Sequence, residues 1–309
     1  MTDVESKTCY ASGNLMIAGE YFVLKGATAL AVPLKYGQQM DVTAGEGDQD
    51  FIHWKAYETG KLWFEARFRQ DMLHIIETSD PEIAGRLQRI LHAIQLLKNE
   101  LLPVPCLITC HIRFPVSWGW GSSSSLIANL ARWAEVDPFE LHDMVSEGSG
   151  YDVAASLSPG PLLFRKTESR METMPVNFRP PFRDSIHFVY LGNKLSSSES
   201  IRQHRALMEK GTAAIPEIDR LTHVIAAEQE IDRFTTALKR HETLLSEALH
   251  LEPVGKRFVD FDGAVKSLGA WGGDFAMAVS SRSKEYVAEY FRGKGLRILF
   301  QFNDIILEP

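Results

Sequence analysis

The chain has 309 residues, of which 45% are hydrophobic and 24% are charged. These proportions are ordinary for a soluble globular protein, and the length is sufficient for two domains. The formal net charge of −7 argues against broad binding to nucleic acid or to anionic membranes. A site for a polyanionic ligand must therefore concentrate its positive charge locally.

Before the first predicted helix, apolar residues occur in short runs or alternate with polar ones, which is typical of strands. An apolar stripe at helical spacing follows from 87 to 101, ended by Pro103 and Pro105. A buried strand is expected at 107–114. The predicted strands before that helix are 14–24, 28–34, 38–43 and the pair 51–57 and 61–68.

The second part mixes helical and strand patterns. A helix start is predicted at Asp137, which has the position of an N-cap. Pro138 is then the first helical residue, and Glu140 is the acid of a capping box. The proline-rich stretch 158–183 is expected to carry the crossing between two domains, 1–165 and 166–309. Regular βαβ alternation is missing, so we expect an α+β fold. The predicted helices are 122–134, 137 to about 147, 151–156, 198–210, 217–250 and 284–292, and the predicted strands are 186–191, 265–268, 275–279 and 297–302.

The chain has three cysteines, at 9, 106 and 110, with no CxxC motif. We therefore predict neither a disulfide framework nor a zinc site. The first residues contain no basic segment followed by an apolar one, and no apolar run reaches 18 residues. These features predict a cytoplasmic protein with no membrane partner, and they leave the oligomeric state open, a homodimer included.

The segment 115–125 places two glycines around a tryptophan and follows them with four serines and an apolar helix pattern. A glycine-rich turn that enters a helix presents backbone N–H groups and the positive end of the helix dipole, which suits a phosphate. A serine hydroxyl there can reach a magnesium ion. No Gly-Lys-Ser/Thr follows, so this is not a Walker loop. The alternative is a surface loop with an ordinary serine N-cap.

Two further glycine-containing segments, 12–26 and 266–274, are each compatible with ordinary turns when taken singly. Taken together with 115–125 and 148–156, however, the two segments follow the order of the motifs of the GHMP kinases, which the chain therefore resembles. This family includes galactokinase, homoserine kinase, mevalonate kinase and phosphomevalonate kinase. The first segment contains Gly-Glu-Tyr-x-Val-Leu, and 148–156 reads Gly-Ser-Gly-Tyr-Asp-Val-Ala-Ala-Ser. The resemblance covers nearly the whole chain.

The resemblance implies a two-domain GHMP kinase fold, with an N-terminal domain like domain 2 of ribosomal protein S5 and a C-terminal ferredoxin-like domain. It implies ATP and Mg²⁺ as ligands. Asp152 matches the catalytic aspartate, which would orient the acceptor hydroxyl and take its proton. A helix-capping role is the alternative for this aspartate. Predicted contacts to the ATP phosphates are made by Gly119, Gly121, Ser122, Ser123, Ser124, Gly269, Gly272 and Gly273.

The metal and acceptor contacts also come from the resemblance. Ser123 matches the magnesium-binding serine, and Glu147 is preferred over Asp143 as a carboxylate ligand, although an exposed helix-end charge is an equal alternative. Simple N-capping remains the alternative role of the serines. The predicted substrate-binding residues are Asn14, Glu20 and Tyr21, and Glu20 is equally compatible with holding a strand edge through backbone bonds.

Three residues depart from the family pattern. Trp120 stands where a leucine is usual, and Trp271 replaces a glycine, where it either meets the substrate or fills a core gap. Asn14 stands where mevalonate-type members have a lysine, so some electrostatic stabilisation of the transferring phosphate is lost. The candidate cations to replace that lysine are Lys25, Lys35 and Arg113. Trp54 and Trp63 are predicted either to line an adenine pocket or to pack in the core.

The function expected from the resemblance is an ATP-dependent small-molecule kinase with an alcohol or phosphate acceptor. The spelling of the motifs is closest to the mevalonate and phosphomevalonate kinases, so these substrates of the mevalonate pathway lead. A sugar or sugar-phosphate kinase is the first alternative. The second is a non-catalytic nucleotide- or metabolite-binding relative, which Asn14, Trp120 and Trp271 suggest.

Overall fold

A computed structural model describes residues 6–45, 50–167, 170–192, 197–269, 271 and 273–308. The chain forms two compact units. Of the described residues, unit 1 takes those within Met1–Gly13, Tyr36–Val116 and Trp120–Leu157, and unit 2 takes those within Asn14–Lys35, Ser117–Gly119 and Ser158–Pro309. Each unit is therefore discontinuous in sequence, unlike the linear division 1–165 and 166–309 predicted above.

The described strands are β1 (Lys7–Ala18), β2 (Ala29–Ala44), β3 (Phe51–Glu58), β4 (Lys61–Arg69), β5 (Ile75–Thr78), β6 (Cys106–Ile112), β7 (Leu162–Lys166), β8 (Met171–Pro175), β9 (Ile186–Tyr190), β10 (Ala264–Leu268), β11 (Phe275–Val279) and β12 (Leu299–Gln301). The described helices are α1 (Pro81–Lys98), α2 (Ser122–Ala134), α3 (Pro138–Val145), α4 (Tyr151–Leu157), α5 (Ser197–Lys210), α6 (Ile215–Ala227), α7 (Ile231–Leu249), α8 (Lys284–Gly293) and α9 (Phe302–Ile305). Among the described helices, none combines the length and the apolar character that crossing a bilayer requires.

This inventory confirms the α+β prediction and most of the predicted elements. The β3–β4 hairpin, α2, α4, β10, β11 and α8 lie where the patterns placed them. The predicted N-cap of α3 is also confirmed, because the Asp137 carboxylate accepts the N–H groups of Phe139 and Glu140 at 2.8 and 2.9 Å.

Some predicted elements differ in detail from the observed ones. The strand predicted at 14–24 ends at Ala18, because Gly19 and Tyr21 have φ of 92° and 62° and a short 3-10 helix follows. The two strands predicted at 28–34 and 38–43 are one continuous strand, β2.

Two further differences lie in the second half of the chain. The proline-rich stretch contributes the β7–β8 hairpin, in which Pro175 stands at the end of an edge strand, where no ladder hydrogen bond is lost. The crossing between domains predicted for this stretch stays a prediction, and the third segment of unit 2 begins at Ser158. The helix predicted at 217–250 is interrupted between α6 and α7, where Glu228 and Glu230 adopt extended backbone angles.

Unit 1 is a sheet covered by helices. Its strands run in the order β5-β4-β3-β6-β2, with β3 and β6 parallel and the other neighbours antiparallel. Apolar side chains of α1, α2 and α3 pack against the sheet and make one core. The largest buried side chains of that core are Trp54, Phe64 and Phe68.

Unit 2 contains a four-stranded antiparallel sheet in the order β10-β11-β9-β12. One apolar cluster joins this sheet to α8 through Val287 and Phe291. A second cluster joins the segment after β1 to helices α5, α6 and α7, and it includes Phe22, Leu245 and Trp271. The end of β1 and the start of β2 also belong to unit 2. Residues 29–31 of β2 pair there with β7.

Two glycines of unit 1 give a matched test of its packing. A Cβ at Gly13 would lie 2.8 Å from the Trp120 carbonyl oxygen and 3.0 Å from that of Tyr36, whereas a Cβ at Gly85 in α1 would meet nothing within 4 Å. We expect Gly13→Ala to lower the free energy of unfolding by about 1–3 kcal/mol, because backbone atoms must move. Gly85→Ala is expected to raise it by about 0.5–1 kcal/mol, because alanine favours helix.

The measurement is urea unfolding of both variants, followed by circular dichroism. Equal stability of Gly13→Ala and the wild type would contradict the close backbone approach at Gly13.

Candidate functional site

The glycine-serine turn enters α2 at Ser122, and the N-cap residue is Gly121. Gly121 has left-handed backbone angles, φ 76° and ψ 40°, and no side-chain hydrogen bond caps the helix. The ordinary serine N-cap considered above is therefore wrong, because a glycine occupies that position. The N terminus of α2 keeps its backbone N–H groups and the positive end of the helix dipole without a side-chain acceptor.

The serines after Gly121 differ in their environments. Ser124 is buried and its hydroxyl donates to the Gly121 carbonyl at 3.0 Å, while the Ser125 hydroxyl donates to the Ser122 carbonyl at 3.1 Å. Ser122 is half-buried and Ser123 is exposed. Of the three serines predicted to contact phosphate or magnesium, Ser123 thus presents its side chain most openly to solvent.

Trp120 anchors the turn in unit 1. Its side chain is fully buried, and its ring centroid lies 5.8 Å from that of Phe114 and 5.7 Å from that of Tyr36. An indole in place of the leucine usual in this motif is thus accommodated by an aromatic pocket. The substitution changes the packing behind the turn and leaves the glycines on either side in place.

Asp152 lies in the first turn of α4 and is half-buried. One carboxylate oxygen accepts the Val153 N–H at 3.0 Å. Burial raises the pKa of Asp152, and the nearby His142 acts in the opposite direction. Helix α4 packs against α2, where the Ser156 hydroxyl lies 3.5 Å from that of Ser124. The predicted base and the predicted phosphate turn therefore stand on neighbouring helices of unit 1.

No role was assigned to His142 from the sequence, because it lies outside the four motifs. Its side chain is 2% exposed, and its Nδ1 lies 3.1 Å from Asp143 Oδ1. Its place six residues before the Gly-Ser-Gly segment, on the last turn of the preceding helix, was the available signal.

The magnesium ligands remain predictions. Glu147 and Asp143 are both exposed near the end of α3. Within the part of the chain that the structure describes, no group of three or more histidine, cysteine, aspartate or glutamate side chains has the geometry of a metal site. A magnesium ion that binds with ATP needs fewer protein ligands, because phosphate oxygens and water complete its shell.

From Asn14 onward the first motif lies in unit 2, and Asn14 is buried in β1. The chain then turns sharply at Gly19, where a Cβ would lie 2.4 Å from the Thr28 carbonyl oxygen. Tyr21 has a left-handed φ of 62°, and its hydroxyl accepts the Trp271 N–H at 2.9 Å and pairs with Ser200 Oγ at 2.8 Å. The Tyr21 hydroxyl is thus engaged inside unit 2.

Glu20 is 2% exposed and forms an ion pair with Lys266, which is 1% exposed. Burial raises the pKa of Glu20 to about 7, although Lys266 acts against this shift. The side chain of Glu20 therefore points into unit 2 towards Lys266. This contact differs from both roles predicted for Glu20, facing the substrate or holding a strand edge.

The third motif connects β10 and β11 in unit 2. Gly269 has a φ of 64°, and a Cβ there would meet no described residue within 4 Å. Gly273 is buried, whereas Gly272 lies outside the described residues. Trp271 belongs to the core cluster with Tyr21 and Leu245, and its Nε1 donates to the Glu252 carbonyl at 2.6 Å. Of the two roles predicted for Trp271, filling a core gap is the one that these contacts match.

Residues 117–119 also belong to unit 2, although they precede the turn of the second motif. The Trp118 ring lies 5.2 Å from the Phe300 ring and 6.2 Å from those of Tyr190 and Phe275. Gly119 has a φ of 67°, and a Cβ there would lie 1.8 Å from Asp274 Oδ2. Trp118 and Asp274 thus bring the start of the second motif and the end of the third together, a contact that the sequence did not reveal.

The candidate replacements for the missing lysine each have a different partner. Lys25 pairs with Glu209, and Lys35 donates to the Asn303 carbonyl at 2.5 Å, both in unit 2. Arg113 belongs to unit 1 and lies over the Tyr10 ring at 5.7 Å. Lys266 was not considered from the sequence, yet it is a buried cation in the same unit as Asn14.

The two tryptophans proposed for an adenine pocket also differ. Trp54 is 2% exposed and belongs to the core of unit 1, whereas Trp63 is 39% exposed on β4. Core packing is therefore the role that the contacts of Trp54 match.

The predicted site residues divide between the units. Unit 1 holds Gly121, Ser122, Ser123, Ser124, Glu147 and Asp152, and unit 2 holds Asn14, Glu20, Tyr21, Gly119, Gly269 and Gly273.

The chain matches no protein-family model and no curated protein. It does resemble solved structures. The mevalonate kinase of Methanococcus jannaschii aligns over 99% of both chains with a TM-score of 0.71 and 14% identity. The phosphomevalonate kinase of Streptococcus pneumoniae, in complex with phosphomevalonate and AMPPNP, aligns over 96% of this chain and 99% of its own, with a TM-score of 0.70 and 15% identity.

A third similar structure is the Lin0012 protein of Listeria innocua, with a TM-score of 0.72, 15% identity and coverage of 96% of this chain and 97% of its own. The solved neighbours include mevalonate kinases, phosphomevalonate kinases and a galactokinase. The chain therefore has the two-domain α+β fold of the GHMP kinases, and the fold expected from the motifs is confirmed.

The contact between Gly119 and Asp274 can be tested against a second left-handed glycine of unit 2. Gly295 has a φ of 83°, and a Cβ there would meet nothing within 4 Å. We expect Gly295→Ala to lower the free energy of unfolding by about 1–2 kcal/mol, the usual penalty of this backbone region. Gly119→Ala should lower it further, because its Cβ also collides with the carboxylate.

The measurement is urea unfolding of both variants alone and with Asp274→Ala. Replacing Asp274 should reduce the loss at Gly119 towards that at Gly295, although the Cβ at 274, which would lie 3.1 Å away, remains. A loss at Gly119 that is unaffected by Asp274→Ala would show that the two residues do not meet.

Proposed function

We propose that the chain is an ATP- and magnesium-dependent kinase that phosphorylates a small molecule, with mevalonate or phosphomevalonate as the leading acceptors. One observation carries the proposal. In unit 1, the uncapped N terminus of α2 and the carboxylate of Asp152 stand on two packed helices, next to the contact between Ser124 and Ser156. This arrangement supports the proposal that an anion site and a base lie on two neighbouring helices.

The chemistry of phosphoryl transfer fits these parts. The reaction depends on positioning and electrostatic stabilisation. Backbone N–H groups at Ser122 and Ser124 would hold phosphate oxygens, and Gly121 lets the backbone approach them. Asp152 would accept the proton of the attacking hydroxyl, and its raised pKa makes it a stronger base than an exposed aspartate.

Magnesium fits the oxygen donors of this region. The exposed hydroxyl of Ser123 and the exposed carboxylate of Glu147, or of Asp143, are the protein ligands that we expect. When bound, the ion neutralises charge on the phosphates. Glycines 119, 269, 272 and 273 are proposed to contact ATP phosphates, and Asn14 and Tyr21 are proposed to contact the acceptor.

The acceptor class is supported by the motifs and by the neighbours. Gly-Glu-Tyr-x-Val-Leu and the segment around Asp152 resemble mevalonate-type members, and mevalonate and phosphomevalonate kinases are among the solved structures of similar fold. A sugar or sugar phosphate is the alternative acceptor, since a galactokinase shares the fold as well.

A non-catalytic relative is the second alternative. Of the three departures that suggested it, Trp120 and Trp271 are accounted for by packing in the cores of their units. Only Asn14 changes the charge available to the reaction. The argument for lost catalysis therefore depends on a single residue.

The proposal is tested by ADP release with ATP and magnesium against mevalonate, phosphomevalonate, homoserine and several sugars. Asp152→Asn should lower kcat by about 10²-fold or more, because the base is lost, while ATP binding measured by calorimetry persists. Asp71→Asn, an exposed loop aspartate of the same unit, is the control and should retain activity. Full activity of Asp152→Asn would disprove the mechanism, and ATP binding without turnover of any acceptor would favour the non-catalytic relative.

The raised pKa of Asp152 predicts the pH dependence. The base must be deprotonated to act, so kcat/KM should fall as the pH drops through a pKa above the ordinary aspartate value of 3.8. Because His142 lowers the pKa of Asp152, His142→Gln should move this acidic limb to higher pH. The measurement is a pH profile of kcat/KM for both proteins, and an unmoved limb would contradict the coupling.

A further inference from the structure

Helix α7 presents two adjacent buried polar residues, His241 and Glu242, to the first and third motifs within unit 2. His241 is fully buried, and its Nε2 accepts the Gly19 N–H at 3.1 Å. Glu242 is 3% exposed and accepts the Ser267 hydroxyl at 3.1 Å, the Ser267 N–H at 3.3 Å and the Val254 N–H at 3.1 Å. One helix therefore holds backbone groups of both motifs.

The motifs are also joined directly. Lys266 of the third motif donates to the Glu20 carboxylate of the first, and to the Ser267 carbonyl at 2.8 Å. His241 Nε2 lies 3.9 Å from the other carboxylate oxygen of Glu20. Four ionisable side chains are thereby enclosed together, and each contacts a residue of a motif or belongs to one.

The protonation state of His241 follows from its partner. A backbone N–H can only donate, so Nε2 must carry a lone pair and the ring is neutral. Burial and the positive charge of Lys266 both lower the pKa of His241, which agrees with a neutral ring. The Nδ1 atom has no hydrogen-bond partner among the described residues. The contact to Gly19 is thus the hydrogen bond that the structure shows for this ring.

Such a network is a poor source of stability. Desolvation of buried charges offsets most of their attraction, and apolar residues of similar volume are often as stabilising or more so. Burial accordingly raises the pKa of Glu20 and of Glu242 above the ordinary glutamate value, even beside Lys266. What the network does provide is geometry, since each hydrogen bond fixes one backbone group of a motif.

We propose that His241 and Glu242 are positioning residues, which act through Gly19 and Ser267 to hold the first and third motifs in a single geometry. The inference rests on the proposed function and extends it to a helix that carries none of the motifs. The held backbone is unusual, because Gly19, Tyr21 and Gly269 all have left-handed φ angles. Misplacement of catalytic groups by about 1 Å can lower a rate by about 10²-fold, so this support should matter for turnover.

The test compares two pairs of variants with a control on the same helix. His241→Leu and Glu242→Leu remove the acceptors, whereas His241→Gln and Glu242→Gln keep an oxygen acceptor near the same place. Phe234→Leu is the control, because Phe234 is a fully buried residue of α7 that packs on Phe178 and Phe182. The readouts are hydrogen exchange by mass spectrometry and steady-state kinetics.

We expect the leucine variants to increase amide exchange by about tenfold, at 19–25 for His241→Leu and at 266–269 for Glu242→Leu. They should also lower kcat by about 10²-fold. The glutamine variants should have amide exchange rates and kcat values close to those of the wild type. They also provide the test if a leucine variant does not fold. Phe234→Leu should leave exchange in both segments and kcat unchanged.

Unchanged exchange in the leucine variants, or an equal change in Phe234→Leu, would overturn the positioning role. Faster exchange without a loss of kcat in an active enzyme would also overturn it. Failure of the proposed function is a separate outcome, because a wild-type protein without kinase activity still gives the exchange result.

Discussion

The ion pair between Glu20 and Lys266 is the constraint around which unit 2 is arranged. Both side chains are nearly inaccessible to solvent, so neither charge is tolerable without the other. The pair fixes the middle of the first motif against β10, and Glu242 then fixes the residue after Lys266. Removal of one partner would leave a buried charge beside two segments whose backbone has left-handed residues.

In unit 1 the corresponding feature is the backbone turn before α2. The turn before α2 depends on Gly121, which adopts a left-handed conformation and has no side chain. It also depends on Trp120, whose ring packs against the rings of Tyr36 and Phe114. The helix begins without a side-chain cap as a result. Among the described residues, no side-chain hydrogen bond caps this helix start.

The three departures from the family pattern, at Asn14, Trp120 and Trp271, differ in their physical effect. Trp120 and Trp271 are large residues that fill apolar space in their own units, so they alter packing and leave the polar groups of the motifs in place. Asn14 alters charge, because it stands where a lysine is usual. Lys266, the buried cation of the same unit, is already paired with Glu20. The chain therefore differs from mevalonate-type kinases in electrostatics at one position of the first motif.

Local patterns in the sequence were sufficient for most elements and for the fold class. Helix α3 with its Asp137 cap, the β3–β4 hairpin and the order of four glycine-containing motifs depend on neighbours a few residues apart. The patterns failed where distant packing overrides local preference. The strand predicted through Glu20 ends at Ala18, because Gly19 and Tyr21 turn the chain into the interior of unit 2.

The sequence by itself therefore determined the α+β class, the motif positions and the choice of Asp152 and the 119–124 turn as candidates. Only the tertiary structure decided which side chains meet, because contacts such as Glu20 with Lys266, His241 with Gly19, and Gly119 with Asp274 join residues far apart in the chain. No periodicity encodes those pairs. They arise when burial leaves a charge or a backbone N–H group with one available partner.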